Sequence, residues 1–160
     1  MTENNCKQVV DLLIAKNYHI SFAESCTGGL ACGELVNVAD ASKVLDVSFV
    51  TYANDAKVDY LSVDKALIEK YGVVSEQVAY EMAKGVSKRA GSEVGVGITG
   101  VAGPTGGTKN KPVGMVCFGF SINGNVKTYT KQFGDIGRNE VRSESVRFVY
   151  DKLYELLTAE

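Results

Sequence analysis

Two strand-like runs, each followed at once by a loop of small residues, constrain the fold of this chain most. The run "YHISFA" (residues 18–23) leads into "ESCTGG", and "EVGVGIT" (residues 93–99) leads into "GVAGPTGGTKNKP". Strand-like and helix-like segments alternate around these runs, which predicts one sheet with helices on both faces. Ligands bind beyond the carboxyl ends of the strands in such sheets, so we expect both loops to border one site.

The remaining segments complete a mixed sheet in a single domain over residues 1–160. Periodic apolar residues predict helices over 6–16, 28–38, 62–71, 75–90 and 138–157. A mostly apolar run predicts a buried strand over 45–53. Two further strand-like runs flank Asn123-Gly124, a strong hairpin signal. The predicted fold class is therefore α/β, with one mixed sheet that includes a C-terminal β-hairpin.

Composition excludes several classes of partner. A formal net charge of -2 and the absence of a basic block argue against nucleic-acid binding, which depends on many phosphate contacts. The four cysteines form no C-x-x-C pair and His19 is the only histidine, so a zinc site lacks its usual ligands. With neither a signal peptide nor a membrane-length apolar run, we expect a soluble cytoplasmic protein with free thiols and no membrane partner.

The loop "AESCTGG" admits two interpretations. Ser25 or Thr27 caps the following helix, as such residues usually do, or Ser25 is a nucleophile. His19 lies on a strand six residues earlier and the G-x-S-x-G elbow is absent, so a nucleophilic serine would need a lysine as its base. Cys26 is a rival nucleophile, although burial as a small apolar residue fits it better.

Two further segments each leave a pair of alternatives. "TYANDAK" (residues 51–57) is either a surface turn or the source of a base, Lys57, and a proton relay or orienting donor, Tyr52. "GVGITG" (residues 95–100) fits G-x-G-x-x-G, but Pro104 follows where a dinucleotide fingerprint needs a helix. The glycine-rich segment is then a mobile connection or a loop whose backbone N–H groups cradle a phosphate.

Taken together, "AESCTGG", "TYANDAK", "YGVVSEQVA" and "GITGVAGPTGGTKNKPVGMV" resemble the CinA C-terminal-domain family. That family includes stand-alone nicotinamide-nucleotide amidases. The resemblance implies a three-layer α/β/α sandwich and hydrolysis of nicotinamide mononucleotide to nicotinate mononucleotide and ammonia, in pyridine nucleotide recycling and without a metal or cofactor. Carried over by position, it implies Ser25 as nucleophile, Lys57 as base and Tyr52 as their partner.

The resemblance also implies how the substrate would be held. Backbone N–H groups near Thr27, Gly28 and Gly29 would stabilise the oxyanion. The phosphate and ribose would be bound by the glycine-rich loop and one arginine, with these candidates: Thr99, Gly100, Gly106, Arg138 and Arg142. The family pattern differs at Ala53 and Asp55, and "FGDIGRNEVR" is one residue longer than usual, which leaves the choice of arginine open.

Other functions stay open at this point. A catalytically silent nucleotide-binding or regulatory homologue would keep the same fold, and an amidase for another small amide would keep the same nucleophile. Relatives of this size often self-associate, so a homo-oligomer is a further alternative. Longer relatives carry a separate N-terminal domain, and its nucleotide pyrophosphatase activity is not expected of this sequence.

Overall fold

A five-stranded mixed sheet forms the centre of the computed structural model, which describes residues 5–160. The strands are β1 (Ile20–Glu24), β2 (Phe49–Val50), β3 (Val94–Gly100), β4 (Met115–Ile122) and β5 (Asn125–Gln132). Their order is β2-β1-β3-β4-β5, with β1 parallel to β2 and β3, and β4 antiparallel to β3 and β5. The predicted mixed sheet and its C-terminal hairpin are confirmed.

In the described part of the chain, six helices cover the two faces of this sheet. They are α1 (Cys6–Lys16), α2 (Leu30–Val36), α3 (Asn54–Leu61), α4 (Lys65–Tyr71), α5 (Glu76–Ala90) and α6 (Arg138–Thr158), with a short 3-10 turn at Ala41–Lys43. Helices α1, α2 and α6 pack together, and α5 packs on the strands with α3 and α4 beside it. The α/β/α layering implied by the resemblance is thus confirmed. Within residues 5–160, none of the helices combines the length and apolar character needed to cross a bilayer.

The segment 45–53 differs from its prediction as a buried strand. Only Phe49–Val50 pairs with β1, and Leu45 adds an isolated bridge. The short β2 lies at the edge of the sheet, where Val50 is 54% exposed. An edge strand has one neighbour, so its apolar side chains are covered only in part.

Helix α3 occupies the segment for which a surface turn was one alternative. Its buried residues are Lys57 and Leu61. A lysine at a buried position interrupts the apolar period that indicates an amphipathic helix. The helix was therefore missed because its buried face carries a charged residue type.

Glycines on two neighbouring strands let α5 lie close against the sheet. A Cβ atom on Gly97 would lie 2.6 Å from the Ala79 carbonyl oxygen, and one on Gly119 would lie 2.3 Å from the same atom. Both distances are too short for a side chain, so the helix backbone rests on the glycines. Part of the "GVGITG" pattern thus serves helix packing, and this packing brings the start of α5 near the carboxyl end of β3.

Candidate active site

The first three strands of the sheet end at one pocket. The Ser25 N–H donates to the Ile98 carbonyl of β3 at 3.0 Å, and the Thr51 N–H donates to the Glu24 carbonyl of β1 at 2.9 Å. These bonds hold residues 25 and 51 side by side at the carboxyl edge of the parallel strands. A pocket of about 290 Å³ opens there, bordered by Ser25, Cys26, Tyr52, Asn54, Lys57, Val73, Val74, Thr99, Gly100, Val101, Ala102, Gly103, Thr105, Gly106 and Arg138.

Lys57 is fully buried at the base of this pocket. Its Nζ lies 3.1 Å from Ser25 Oγ, 2.6 Å from the Thr51 carbonyl oxygen and 3.5 Å from the Tyr52 carbonyl oxygen. Burial lowers the pKa of Lys57 from 10.5 to about 8, and a weaker interaction with Cys26 opposes the shift. Among the residues described, no carboxylate forms an ion pair with this amine.

The three oxygens around Lys57 suit both forms of its amine, since an ammonium can donate to all three and the neutral form can accept the Ser25 proton. A neutral amine has two N–H bonds and one lone pair, whereas an ammonium has three N–H bonds. The carbonyls of Thr51 and Tyr52 can accept the two N–H bonds, which leaves the lone pair for the Ser25 hydroxyl proton. Desolvation moves the amine toward the neutral form near physiological pH. The arrangement can therefore deprotonate Ser25.

Tyr52 contacts Lys57 through its backbone carbonyl. Its side chain is 61% exposed at the rim of the pocket, and its hydroxyl accepts a hydrogen bond from Arg138 Nη2 at 3.0 Å. The hydroxyl makes no hydrogen bond to Ser25 or Lys57. The structure thus brings the three predicted catalytic residues to one pocket, with the phenol turned toward Arg138.

The predicted substrate-binding residues separate into two groups. Four of them border the pocket: Thr99, Gly100, Gly106 and Arg138. Four others do not border the pocket: Thr27, Gly28, Gly29 and Arg142. Arg138 Nη1 donates to the Gly103 carbonyl at 2.8 Å, which ties the start of α6 to the glycine-rich loop. The binding roles of both groups stay predictions.

Glu24 is a buried residue next to Ser25 whose structural role sequence reasoning missed. Its buried carboxylate accepts hydrogen bonds from the Thr27 hydroxyl at 2.6 Å, the Ala31 N–H at 2.9 Å and the Cys32 N–H at 3.1 Å. It therefore caps α2, the role that the sequence offered to Ser25 or Thr27. An acid at the end of an apolar strand, three residues before a threonine, was the available signal. Because Glu24 caps the helix, the Ser25 hydroxyl is free to face Lys57.

Cys26 and His19 take the positions expected of residues without a catalytic role. Burial raises the pKa of the Cys26 thiol to about 12, so the thiol stays protonated. His19 precedes β1, at the opposite end of the strand from Ser25, and its Nδ1 lies 2.7 Å from Asp46 Oδ2. In the described part of the chain, no cluster of three or more His, Cys, Asp or Glu side chains is arranged to hold a metal ion.

Val73 and Val74 form a second part of the pocket wall that sequence reasoning did not assign. The Thr99 hydroxyl donates to the Val73 carbonyl at 2.9 Å, which fixes the segment between α4 and α5 against the end of β3. The only available signal was the segment "YGVVSEQVA", whose valines have no chemistry of their own to mark them.

Known proteins are similar to this chain over most of its length. The "CinA-like protein" of Kosmotoga olearia is 48% identical over 143 residues, covering 89% of this chain and 34% of that protein. A "Putative competence-damage inducible protein" of Clostridium acetobutylicum is 51% identical over 141 residues, covering 88% and 34%. The chain therefore spans about a third of the length of these relatives.

Solved structures match over nearly their whole length. The competence/damage inducible protein CihA of Agrobacterium tumefaciens is 40% identical with a TM-score of 0.89, and 98% of each chain is covered. A CinA superfamily protein of Klebsiella pneumoniae is 32% identical with a TM-score of 0.93, and 98% of this chain and 97% of that one are covered. The family model described as "CinA C-terminal domain" matches residues 2–157, and the chain belongs to that family.

Proposed function

We propose that this protein hydrolyses the carboxamide of nicotinamide mononucleotide to nicotinate mononucleotide and ammonia. The observation that carries the proposal is the buried amine of Lys57, 3.1 Å from Ser25 Oγ at the base of a pocket. Membership of the CinA family supports it, because the sequence resemblance to that family is what implies a serine nucleophile and a lysine base. The choice of substrate rests on the sequence resemblance, and the positive charge of Arg138 at the pocket rim is consistent with a phosphorylated substrate.

The first chemical step follows from the contacts of Lys57. Ser25 Oγ attacks the amide carbon while its proton passes to Lys57 Nζ, and the C–N bond is not yet broken. The Thr51 and Tyr52 carbonyls then accept hydrogen bonds from the ammonium and stabilise it. A base with a pKa of about 8 suits this step, because a useful fraction is neutral at physiological pH.

Collapse of the tetrahedral intermediate completes the reaction. The C–N bond breaks and Lys57 returns its proton to the departing nitrogen, which leaves as ammonia. Ser25 then carries the nicotinate nucleotide as an ester. A water molecule attacks this ester with Lys57 as base, and proton return to Ser25 Oγ releases nicotinate mononucleotide.

Arg138 is the group we assign to the phosphate. Its guanidinium lies at the pocket rim and donates to two neutral oxygens, the Gly103 carbonyl and the Tyr52 hydroxyl. No acid in the described residues neutralises its charge, so the charge is available to a phosphate, which the planar fork suits. The N–H groups of Ala102 and Gly106 donate no hydrogen bond within residues 5–160 and are further donors for the same anion.

The decisive test is turnover with a matched pair of serine variants. Purified protein without added metal is mixed with nicotinamide mononucleotide, and ammonia and nicotinate mononucleotide are assayed. We expect turnover by the wild type and by Ser143→Ala, which changes an exposed serine on α6. Turnover by Ser25→Ala should fall by about a thousandfold or more, since the covalent route is lost.

Two other results would contradict the proposal. Binding of the mononucleotide by calorimetry without ammonia release would indicate a silent nucleotide-binding protein. Faster release of ammonia from nicotinamide or its riboside than from the mononucleotide would indicate an amidase for a different small amide. In the second case, the loss of ammonia release in Ser25→Ala would still identify Ser25 as the nucleophile.

A further inference from the structure

Arg142 contacts the loop that carries Ser25 and does not border the pocket. Its Nε donates to the Cys26 carbonyl at 3.0 Å and its Nη2 donates to the Thr27 carbonyl at 3.2 Å. Its Nη1 donates to Asn139 Oδ1 at 3.1 Å on the same helix. The guanidinium therefore spans two successive peptide carbonyls of the serine loop, by which we mean residues 25–29.

These two bonds fix the direction of the backbone N–H groups at the other side of each peptide. A peptide unit is planar and trans, so its C=O and N–H point in opposite directions. When Arg142 holds the Cys26 carbonyl, the Thr27 N–H points away from the guanidinium. When it holds the Thr27 carbonyl, the Gly28 N–H points away in the same sense.

The second of these bonds continues through one more peptide. The Gly28 N–H donates to the Ser25 carbonyl at 3.0 Å. The Ser25 carbonyl belongs to the same peptide as the Cys26 N–H, so that N–H is fixed in turn. Two chains of aligned peptide dipoles thus begin at Arg142 and end at the N–H groups of Cys26 and Thr27.

Of these two terminal N–H groups, the one of Cys26 is available to a ligand, because Cys26 borders the pocket, whereas Thr27 is fully buried and does not border it. Neither the Cys26 N–H nor the Thr27 N–H donates a hydrogen bond to another residue in the described range 5–160. The first N–H groups of α2 are unavailable, because Glu24 already binds those of Ala31 and Cys32. The N–H of the residue after a nucleophilic serine is a common oxyanion donor in other hydrolases.

We propose that Arg142 is a positioning residue that orients and polarises the Cys26 N–H group as an oxyanion donor for Ser25. The guanidinium charge polarises the carbonyl that it binds, and hydrogen bonds aligned in a chain strengthen one another. The proposal rests on the proposed function only in taking Ser25 as the nucleophile. It assigns Arg142 a role in the rate of attack, in place of the phosphate contact that the sequence left open.

The test uses a reagent that needs the oxyanion hole but no nucleotide. A small alkyl fluorophosphonate reacts when Ser25 Oγ attacks phosphorus, the P–O bond forms, fluoride leaves with its electron pair and Lys57 takes the proton. The phosphoryl oxygen then occupies the position of the oxyanion. The rate is followed by intact mass, with Ser25→Ala as background, so the measurement does not depend on whether nicotinamide mononucleotide is the substrate.

Arg142→Lys keeps the charge and loses the fork, and Arg142→Met loses both. We expect labelling of Arg142→Lys to be about tenfold slower and that of Arg142→Met about a hundredfold slower, given that one direct oxyanion donor contributes about 10²–10³. Arg147→Lys, on an exposed position of the same helix, should label at the wild-type rate. If nicotinamide mononucleotide is turned over, kcat should fall by the same factors while KM stays within about twofold.

Thermal melting and circular dichroism check that each variant folds. If Arg142→Met does not fold, the labelling rate of Arg142→Lys decides the test. Wild-type labelling rates in a folded Arg142→Lys or Arg142→Met would overturn the proposal. A rise in KM at unchanged kcat would overturn it in favour of phosphate binding. A wild-type protein that does not label at all would also overturn it, whereas labelling without amide turnover would contradict only the proposed substrate.

Discussion

The two loops that border the pocket are held in different ways. The serine loop (residues 25–29) is fixed by charged side chains, with the Glu24 carboxylate on one side and the Arg142 guanidinium on the other. The second loop, residues 101–114, is termed the glycine loop. It is anchored at its ends by the paired backbones of Val101 and Gly114, receives one charged contact from Arg138 at the Gly103 carbonyl, and is exposed over residues 104–110.

This difference matches the work expected of each loop. Attack by Ser25 requires its donors and base within a few tenths of an ångström, and charge-assisted hydrogen bonds from buried or half-buried groups supply that precision. Binding of a flexible phosphate and ribose tolerates an adaptable loop with many exposed N–H groups. The comparison predicts that changes around the serine loop alter kcat, whereas changes around the glycine loop alter KM and stability.

The largest effect is expected from Lys57→Met. Methionine fills a similar volume but cannot take the Ser25 proton, so kcat should fall by about 10³-fold or more. The fold should persist, because the variant removes a desolvated amine from the interior. The cost in stability is limited mainly to the Thr51 carbonyl, which loses its donor. Steady-state ammonia release and thermal melting check both parts, with the exposed Lys84→Met as control. Retained turnover in Lys57→Met would mean that another base serves Ser25.

Gly114→Ala tests how the glycine loop is anchored. A Cβ atom at this position would lie 2.1 Å from the Gly134 carbonyl oxygen, and φ is +91°. We expect a loss of about 3 kcal/mol in the free energy of unfolding, from the clash added to the left-handed backbone. Gly124→Ala is the matched control, since φ is +84° and, among residues 5–160, no atom beyond its chain neighbours would lie within 4 Å of the added Cβ, so about 1 kcal/mol is expected. Urea unfolding measures both variants. Equal losses of unfolding free energy in Gly114→Ala and Gly124→Ala would show that the clash is relieved by movement of the loop.

Arg138→Met is expected to act on binding. The guanidinium joins the Gly103 carbonyl and the Tyr52 hydroxyl at the rim, about where the phosphate should lie. Loss of a charge-assisted phosphate contact should raise KM for nicotinamide mononucleotide by about ten- to a hundredfold, with kcat nearly unchanged. The riboside, which has no phosphate, should be insensitive to the substitution. Equal sensitivity of riboside and mononucleotide would remove Arg138 from the phosphate site.

The pattern of these contacts also explains which parts of the fold the sequence could predict. Apolar periodicity located α1, α5 and α6, because their buried positions carry apolar side chains. It failed for α3, whose buried face includes Lys57, and it overextended β2, whose edge position leaves Val50 in solvent. Periodicity reports side-chain chemistry, and it cannot report a buried charge or the number of neighbours of a strand.

The site was predictable only where short segments carry a family pattern. Ser25, Tyr52 and Lys57 came from the resemblance, and the structure brings them to one pocket. The contact of Arg142 with the serine loop was not predictable, because an arginine 115 residues from Thr27 looks like an ordinary surface charge in a sequence. The contact of Glu24 with α2 was signalled only by an acid at the end of an apolar strand. Tertiary packing decides the role of such residues.

The smallest effect is expected from Tyr52→Phe. The Tyr52 hydroxyl contacts Arg138, while the contact with Lys57 comes from the Tyr52 carbonyl, which phenylalanine retains. KM should rise about threefold and kcat should change by less than about twofold, consistent with one lost hydrogen bond of about 1 kcal/mol or less. Parallel kinetics of the wild type and Tyr52→Phe measure this. A hundredfold loss in kcat would instead assign the phenol to proton transfer.

The central claim is that a desolvated Lys57 activates Ser25. The most direct measurement is the rate of Ser25 labelling by the fluorophosphonate between pH 6 and pH 10. The account predicts a rate that rises with pH and levels off with an apparent pKa near 8, the value that burial gives Lys57. A rate that is flat over this range, or that still rises at pH 10 as for an ordinary lysine, would contradict it.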